Sequence, residues 1–208
     1  IKAMASGAVQ IGESGSAGIA AAVSRGEPLE VFWILDDIGS AEALVVKKNS
    51  GIKTLADLNG KTISTTSGTT AVPLLKQYER TKSADIKEIY GKDHAESFLL
   101  LAQDRVAAFV MDDVLLAGQI ANAQNPGEYM IIKESLRQEP YGMMLRKDDP
   151  QFKALVDRTV GGVMKSGEIN RIYAKWFLNA IPPKGVNMSF EETQAIREAF
   201  ANPNDKGV

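Results

Sequence analysis

The sequence contains no cysteine and a single histidine, His94, so several kinds of chemistry have few or no residues to use. Without cysteine there are no disulfides, thiolate metal sites or cysteine nucleophiles, and cysteine usage leaves the redox compartment open. Zinc sites usually draw several ligands from His and Cys, and this sequence has one histidine and no cysteine. It also has no GxSxG segment, which would indicate a serine nucleophile elbow. We therefore expect a protein that is not an enzyme and that uses no metal ion or cofactor.

Neither charge nor hydrophobicity is concentrated in one part of the chain. The 24 basic and 26 acidic residues are mixed along the sequence, and the formal net charge is -2. A nucleic-acid partner is therefore not expected, because no basic face or run is present. No apolar run approaches the length of a membrane span. The 208 residues, 44% of them hydrophobic, suffice for one large domain or two small lobes.

Short apolar strands alternate with helical patterns, which predicts an α/β protein with a mainly parallel sheet. The alternation is most regular from about residue 53 to residue 133, and this block could form a lobe by itself. The helical segments after residue 146 would then pack elsewhere, most simply on a lobe that contains the N-terminal residues.

The segment 62–73, TISTTSGTTAVP, reads as a strand that runs into a hydroxyl-rich turn and then a helix. Hydroxyls, backbone N–H groups and the positive end of a helix dipole would meet there, which is the chemistry of an anion site. Ser67, Thr69 and Thr70 are the candidate ligand contacts. No phosphate-loop lysine follows, which disfavours nucleotide binding. The alternative is a helix cap without a ligand, because Ser and Thr cap helices routinely.

Two further candidates follow predicted strands, at positions that face the ligand crevice in open α/β sheets. His94 could donate a hydrogen bond to an acidic ligand. Asp93 and Glu96 resemble a capping box around it, so a purely structural role stays open. Asp112 and Asp113 could likewise start a helix. Two adjacent acids exceed what a cap needs, so one of them could neutralise a ligand ammonium.

From about residue 61 onward the chain resembles the glutamate/aspartate-binding proteins of bacterial amino-acid ABC importers. The matching segments are TSGTT (66–70), KDH (92–94), FVMDDVLLAG (109–118), YGMMLRKDDPQFK (141–153) and IPPK (181–184). The resemblance implies two α/β lobes joined by two crossing strands, with the ligand in the cleft. It also implies that Ser67 and Thr69 hold the α-carboxylate. Asp112 would hold the α-ammonium, and His94 the side-chain carboxylate.

The first part of the chain is more similar to the taurine- and sulfonate-binding proteins. The similar segments are IGESGSA (11–17), VFWI (31–34) and AEALVVKK (41–48). Ser14 and Ser16, in a second and weaker hydroxyl turn before a helix, would face the anion by this resemblance. The arginine that the glutamate family places in the segment matching 17–24 is missing. The opening strand–helix–strand of lobe one is also absent, so we expect weak or oligomerisation-dependent binding and self-association.

Together the resemblances imply a two-lobed, type II periplasmic-binding-protein-like fold whose first lobe lacks its opening elements. Residues 1–40 and 142–208 would form lobe one, and 41–141 lobe two with the hinge strands. The expected function is the periplasmic solute-binding component of an ABC importer, which delivers glutamate or aspartate to a permease. Taurine or another sulfonate is the alternative ligand, and the effector-binding domain of a transcription regulator is the alternative class.

Overall fold

The computed structural model describes residues 2–14, 16–38, 42–137 and 139–204. The described residues form eight strands and eight α-helices. The strands are β1 (Ile11–Ser14), β2 (Leu29–Ile38), β3 (Glu42–Lys47), β4 (Thr62–Thr66), β5 (Lys87–Gly91), β6 (Ala108–Asp112), β7 (Tyr129–Ile131) and β8 (Glu139–Arg146). The helices are α1 (Lys2–Ala5), α2 (Ser16–Ser24), α3 (Ala71–Lys82), α4 (His94–Ala102), α5 (Asp113–Ala121), α6 (Pro150–Lys165), α7 (Glu168–Tyr173) and α8 (Gln194–Ala201).

These elements group into two compact units. The first contains the described residues of 2–38, 139–175 and 191–204, and the second contains 42–137 and 176–190. The sequence places 176–190 in lobe one, with the rest of 1–40 and 142–208, whereas here these residues belong to the second unit. Within the second unit, the rings of Phe177 and Phe190 lie 6.4 Å apart. Asn187 also donates a 2.8 Å hydrogen bond to the carbonyl of Leu178, so this segment is held by its own contacts.

The first unit is built on a three-stranded sheet in the order β1-β8-β2, and both pairs are antiparallel. Successive side chains of a strand point to opposite faces. Accordingly, Met144 of β8 packs in a cluster with Met4 and Leu29, whereas its neighbour Leu145 packs with Met164 of α6. The central strand is thus covered on both faces.

The second unit contains a five-stranded mixed sheet in the order β5-β4-β6-β3-β7. Strand β4 is parallel to β5 and β6, whereas β3 is antiparallel to β6 and β7. The prediction of a mainly parallel sheet is therefore wrong, since every other described strand pair is antiparallel. Parallel neighbours need a crossover connection, which α3 and α4 supply here. The sequence pattern indicates those crossovers, but it does not encode the direction in which β3 enters the sheet.

Both faces of the five-stranded sheet are covered by apolar side chains. Leu44 and Val110 belong to a buried cluster with Leu75 of α3, while Val45 and Phe109 belong to a second cluster on α4 and α5. This alternation explains the continuous apolar run of β3, because a strand buried on both faces has no polar side. The same topology brings the carboxyl ends of β4, β5 and β6 and the first residue of β3 to one edge.

Candidate functional site

Polar side chains collect at this edge of the five-stranded sheet, all within the second unit. Thr66 ends β4, Gly91 ends β5 and leads to His94, and Asp112 ends β6. Glu42 opens the antiparallel strand β3 and lies directly opposite Asp112 in the register. The structure therefore brings three of the predicted site segments to one edge, the position where open α/β sheets bind ligands.

The turn Ser67–Thr70, called the hydroxyl turn below, joins β4 to α3. The N–H of Ser67 donates to the carbonyl of Gly91 at 2.9 Å, and the hydroxyl of Thr69 donates to the carbonyl of Thr66 at 2.8 Å. Gly68 has a φ of 77°, a left-handed conformation that favours glycine. The Ser67 hydroxyl and the Gly68 N–H have no hydrogen-bond partner among the described residues, so these two donors are available to an anion.

Thr70 stands at the N-cap of α3, but its side chain does not cap the helix. Its hydroxyl donates instead to Oε1 of Glu42 at 2.5 Å. Glu42 is completely buried, and its ladder partner Asp112 is 6% exposed. Residues directly opposite each other in an antiparallel pair point to the same face with their Cβ atoms about 5 Å apart. Two buried carboxylates therefore lie close together beside the hydroxyl turn.

Asp112 is the N-cap residue of α5, yet its side chain makes no capping hydrogen bond. The carboxylate of Asp113 accepts the N–H of Val114 at 2.7 Å. Helix capping therefore explains the second acid of the pair better than the first. Placing a carboxylate where it is nearly inaccessible is unfavourable unless it interacts with hydrogen-bond donors or a cation.

Glu42 is a candidate site residue that the sequence alone does not predict. In the sequence it belongs to the segment AEALVVKK, which is similar to the taurine-binding proteins. One signal was present: a carboxylate opens the otherwise apolar stretch EALVV. The position of its partner Asp112, 70 residues later in the chain, could not be derived from that signal.

His94 is the first residue of α4 and is half-buried. The predicted cap is confirmed, because Oδ1 of Asp93 accepts the N–H of Glu96 at 2.8 Å. The Glu96 carboxylate returns to the N–H of Lys92 instead of Asp93, also at 2.8 Å. His94 takes no part in this cap. Its Nδ1 lies 2.8 Å from the hydroxyl oxygen of Thr66, so its ring is oriented by the last residue of β4.

Ser14 and Ser16 are the remaining predicted contacts. Their backbones end β1 and begin α2 in the first unit. Their side chains lie outside the part of the chain that the structure describes, so their role stays a prediction.

The arrangement offers hydrogen-bond donors for an anion, buried carboxylates for a cation and an imidazole ring held by Thr66. These groups suit a zwitterionic acid better than a simple anion. Within the described ranges, no cluster of three or more His, Asp or Glu could hold a metal ion. Nor does any helix there combine the length and apolar character that crossing a membrane requires.

A family model described as the ABC transporter, phosphonate, periplasmic substrate-binding protein matches residues 1–176. The chain is 45% identical over 165 residues to the glutamate/aspartate import solute-binding protein of Escherichia coli strain K12. That alignment covers 79% of this chain and 55% of the relative. The resemblance to glutamate/aspartate-binding proteins is thereby confirmed. The chain spans about half the length of this relative.

A second relative corresponds to the resemblance to the taurine-binding proteins. Over 64 residues the chain is 48% identical to the taurine-binding periplasmic protein of the same strain, an alignment that covers 31% of this chain and 19% of that protein. Among solved structures, an ABC transporter periplasmic binding protein from Brucella ovis with glutathione bound aligns with a TM-score of 0.69 at 19% identity. It covers 81% of this chain and 52% of that one. This likeness supports the predicted type II fold.

Proposed function

We propose that this chain, which belongs to the family of phosphonate-type periplasmic substrate-binding proteins of ABC transporters, binds glutamate or aspartate for import. It would hold the amino acid without chemical change and deliver it to a membrane permease from the periplasm. The similarity to the Escherichia coli glutamate/aspartate import protein supports this ligand class. Self-association stays a prediction.

One observation supports the proposal: hydrogen-bond donors and buried carboxylates lie side by side at this edge of the five-stranded sheet. The hydroxyl turn lies at the N-terminus of α3, where the helix dipole favours negative charge. Glu42 and Asp112 lie buried on the neighbouring strands β3 and β6. A molecule with one acid and one ammonium group is complementary in charge to both sets of groups.

In the proposed complex, the Ser67 hydroxyl and the Gly68 N–H donate hydrogen bonds to the α-carboxylate. Asp112 accepts from the α-ammonium, and the charge of Glu42 adds to the attraction because it lies opposite Asp112 in the ladder. His94 holds the second acid group of glutamate or aspartate. Thr70 keeps Glu42 in place through its 2.5 Å hydrogen bond.

Taurine is the second candidate, and the 48% identity to the taurine-binding protein favours it. Taurine also combines an anion with an ammonium, so the hydroxyl turn and the carboxylates suit it equally well. It has no second acid group, however, and does not need His94. The two candidates therefore differ in their dependence on this one side chain.

Thermal unfolding of the purified chain with each ligand tests the proposal. A ligand that binds only the folded state raises its stability by about 2.7 kcal/mol at a concentration 100 times its Kd. We expect glutamate and aspartate to raise the melting temperature more than glutamine does. Stabilisation by taurine alone would favour the second candidate, and no shift with any of the four ligands would contradict both.

A further inference from the structure

We propose that Thr66 and Ser97 are positioning residues that hold neutral His94 in the tautomer with its proton on Nδ1. The Nε2 atom is then the nitrogen left for a ligand. The hydrogen-bonded row of His94, Thr66 and Ser97 is called the relay below. Its relevance to ligand binding rests on the proposed function, but the relay itself is a property of the free protein.

The relay consists of three side chains in a row. The Nδ1 atom of His94 lies 2.8 Å from the hydroxyl oxygen of Thr66, which in turn lies 3.1 Å from the hydroxyl oxygen of Ser97. The Ser97 hydroxyl is also within reach of two backbone carbonyls, that of Asp93 at 3.0 Å and that of Thr65 at 3.2 Å. The row therefore ends on atoms that only accept hydrogen bonds.

Counting protons along the row fixes its direction, because each hydroxyl has one proton to donate. Ser97 faces two carbonyl oxygens, so its proton goes to one of them. Its oxygen then accepts the proton of Thr66. With that proton used, the Thr66 oxygen accepts from the ring, and Nδ1 of His94 must carry the hydrogen.

The opposite direction is disfavoured by burial. If Thr66 donated to the ring, its 3.1 Å contact with Ser97 would lack a proton unless Ser97 donated to Thr66. In that case the Ser97 oxygen would face two carbonyl oxygens without a proton between them. Ser97 is completely buried and Thr66 is 4% exposed, so water does not relieve that repulsion. An unsatisfied polar contact of this kind is unfavourable in the interior of a protein.

The backbone at Gly91 passes very close to Ser97. A Cβ atom added to Gly91 would lie 2.2 Å from Oγ and 2.8 Å from the backbone nitrogen of Ser97. Only glycine fits this approach. The carbonyl of Gly91 also accepts the N–H of Ser67 at 2.9 Å, which ties the relay to the hydroxyl turn.

The consequence for binding concerns which nitrogen meets the ligand. No described residue forms a hydrogen bond with Nε2 of His94. A proton added to the Nδ1–H tautomer goes to Nε2, so the ring becomes a donor there without turning over. The acid group of a ligand would then receive a charge-assisted hydrogen bond from a ring that is already oriented.

Long-range proton–nitrogen NMR of the ¹⁵N-labelled chain tests the relay directly. His94 is the only histidine, so its ring signals need no assignment. The spectra are recorded at increasing pH until the ring signals stop changing, so that only the neutral ring is observed. Free histidine prefers the Nε2–H form under such conditions. We expect the reverse in this protein, with Nδ1 protonated, and an Nε2–H spectrum of the wild type would overturn the proposal.

Variants test whether the hydrogen bonds of the relay, and not side-chain packing, determine the tautomer. In Ser97→Ala, Thr66 loses its acceptor and donates to the ring, so the tautomer should switch to Nε2–H. Thr66→Val should restore the preference of free histidine, whereas Thr66→Ser should keep the Nδ1–H form. Ser64→Ala is the matched control. Among the described residues, its buried hydroxyl hydrogen-bonds only to backbone carbonyls, that of Ser97 at 2.9 Å and that of Ala108 at 3.4 Å.

Circular dichroism establishes which variants are folded, and the wild-type spectrum tests the proposal even when a variant is not. A folded Ser97→Ala variant that keeps the wild-type tautomer would refute the relay. Failure of the chain to bind glutamate would contradict the proposed function and leave the tautomer result unaffected, so the two ideas fail separately.

Discussion

Replacing Asp112 with asparagine should weaken the binding of amino acids while sparing acids that lack an ammonium group. Asp112 is 6% exposed and lies opposite the buried Glu42 in the ladder between β3 and β6. Asparagine has nearly the same shape, so the substitution removes charge without opening a cavity. What is lost is the attraction between the carboxylate and the ligand ammonium.

The expected size of the effect follows from the burial of this carboxylate. Removing one partner of a buried, hydrogen-bonded charge pair costs about 2–5 kcal/mol of binding free energy. At about 1.4 kcal/mol for each factor of ten, the Kd for glutamate should rise between roughly 30-fold and several thousand-fold. The second carboxyl group, that of Glu42, is unchanged in this variant, so we expect the lower part of that range.

Isothermal titration with glutamate and glutarate provides the assay, because glutarate is the same dicarboxylic acid without the ammonium. Asp112→Asn should not weaken glutarate, since a negative charge near its carboxylates has been removed. Asp104→Asn is the matched control. Asp104 forms a 2.6 Å ion pair with Lys47, and its side chain is 76% exposed. Lys47 lies at the opposite end of β3 from Glu42. An unchanged Kd for glutamate in Asp112→Asn, or an equal loss for both acids, would refute the reasoning.

Three further predictions follow. His94→Gln should weaken glutamate more than glutamine or taurine in the same titration, and equal losses would assign His94 a structural role only. Gly91→Ala should lower the free energy of unfolding by at least about 1–3 kcal/mol, because the added methyl overlaps Ser97. The control Gly127→Ala, with no atom within 4 Å of the added methyl, should change it by less than about 0.5 kcal/mol in urea unfolding. Burial and the neighbouring Glu79 raise the pKa of the Glu88 carboxyl in the folded protein. Above the pKa that this carboxyl has in the unfolded chain, its ionisation therefore lowers the stability of the folded state. Glu88→Gln should thus raise the melting temperature at pH 7 but not below about pH 4, and an equal effect at both pH values would contradict this account.

Local signals in the sequence predicted much of the local structure around the candidate site. The strand, hydroxyl turn and helix around Ser67 are present, and Asp93 caps α4 as expected. Both depend on residues within a few positions of each other. Parallel strands place their carboxyl ends at one edge of a sheet. The sequence therefore also predicted that His94 and Asp112 lie at the same edge.

Long-range partners explain what the sequence did not reveal. The hydroxyl of Ser64 donates to the carbonyl of Ser97, and that of Thr65 donates to the carbonyl of Val110. These hydroxyls serve the fold, and the sequence alone does not distinguish them from the hydroxyls of the turn that follows. Their acceptors lie 33 and 45 residues away, a separation that no local pattern encodes.

The antiparallel entry of β3 was missed for the same reason, and with it the role of Glu42. A carboxylate at the start of an apolar strand indicates a surface position in most chains. Here the ladder places it opposite Asp112 and within 2.5 Å of the Thr70 hydroxyl, in the interior. Neither contact is visible before the register of the strands is known.

Calorimetric titrations of the chain with glutamate, aspartate and glutamine, each in a separate experiment, test the central claim most directly. The proposed site has one set of groups for the amino-acid moiety and His94 for the second acid. We therefore predict saturable binding of glutamate, with a lower Kd than that of glutamine. The absence of saturable binding for both glutamate and aspartate, in a chain shown to be folded, would contradict the account.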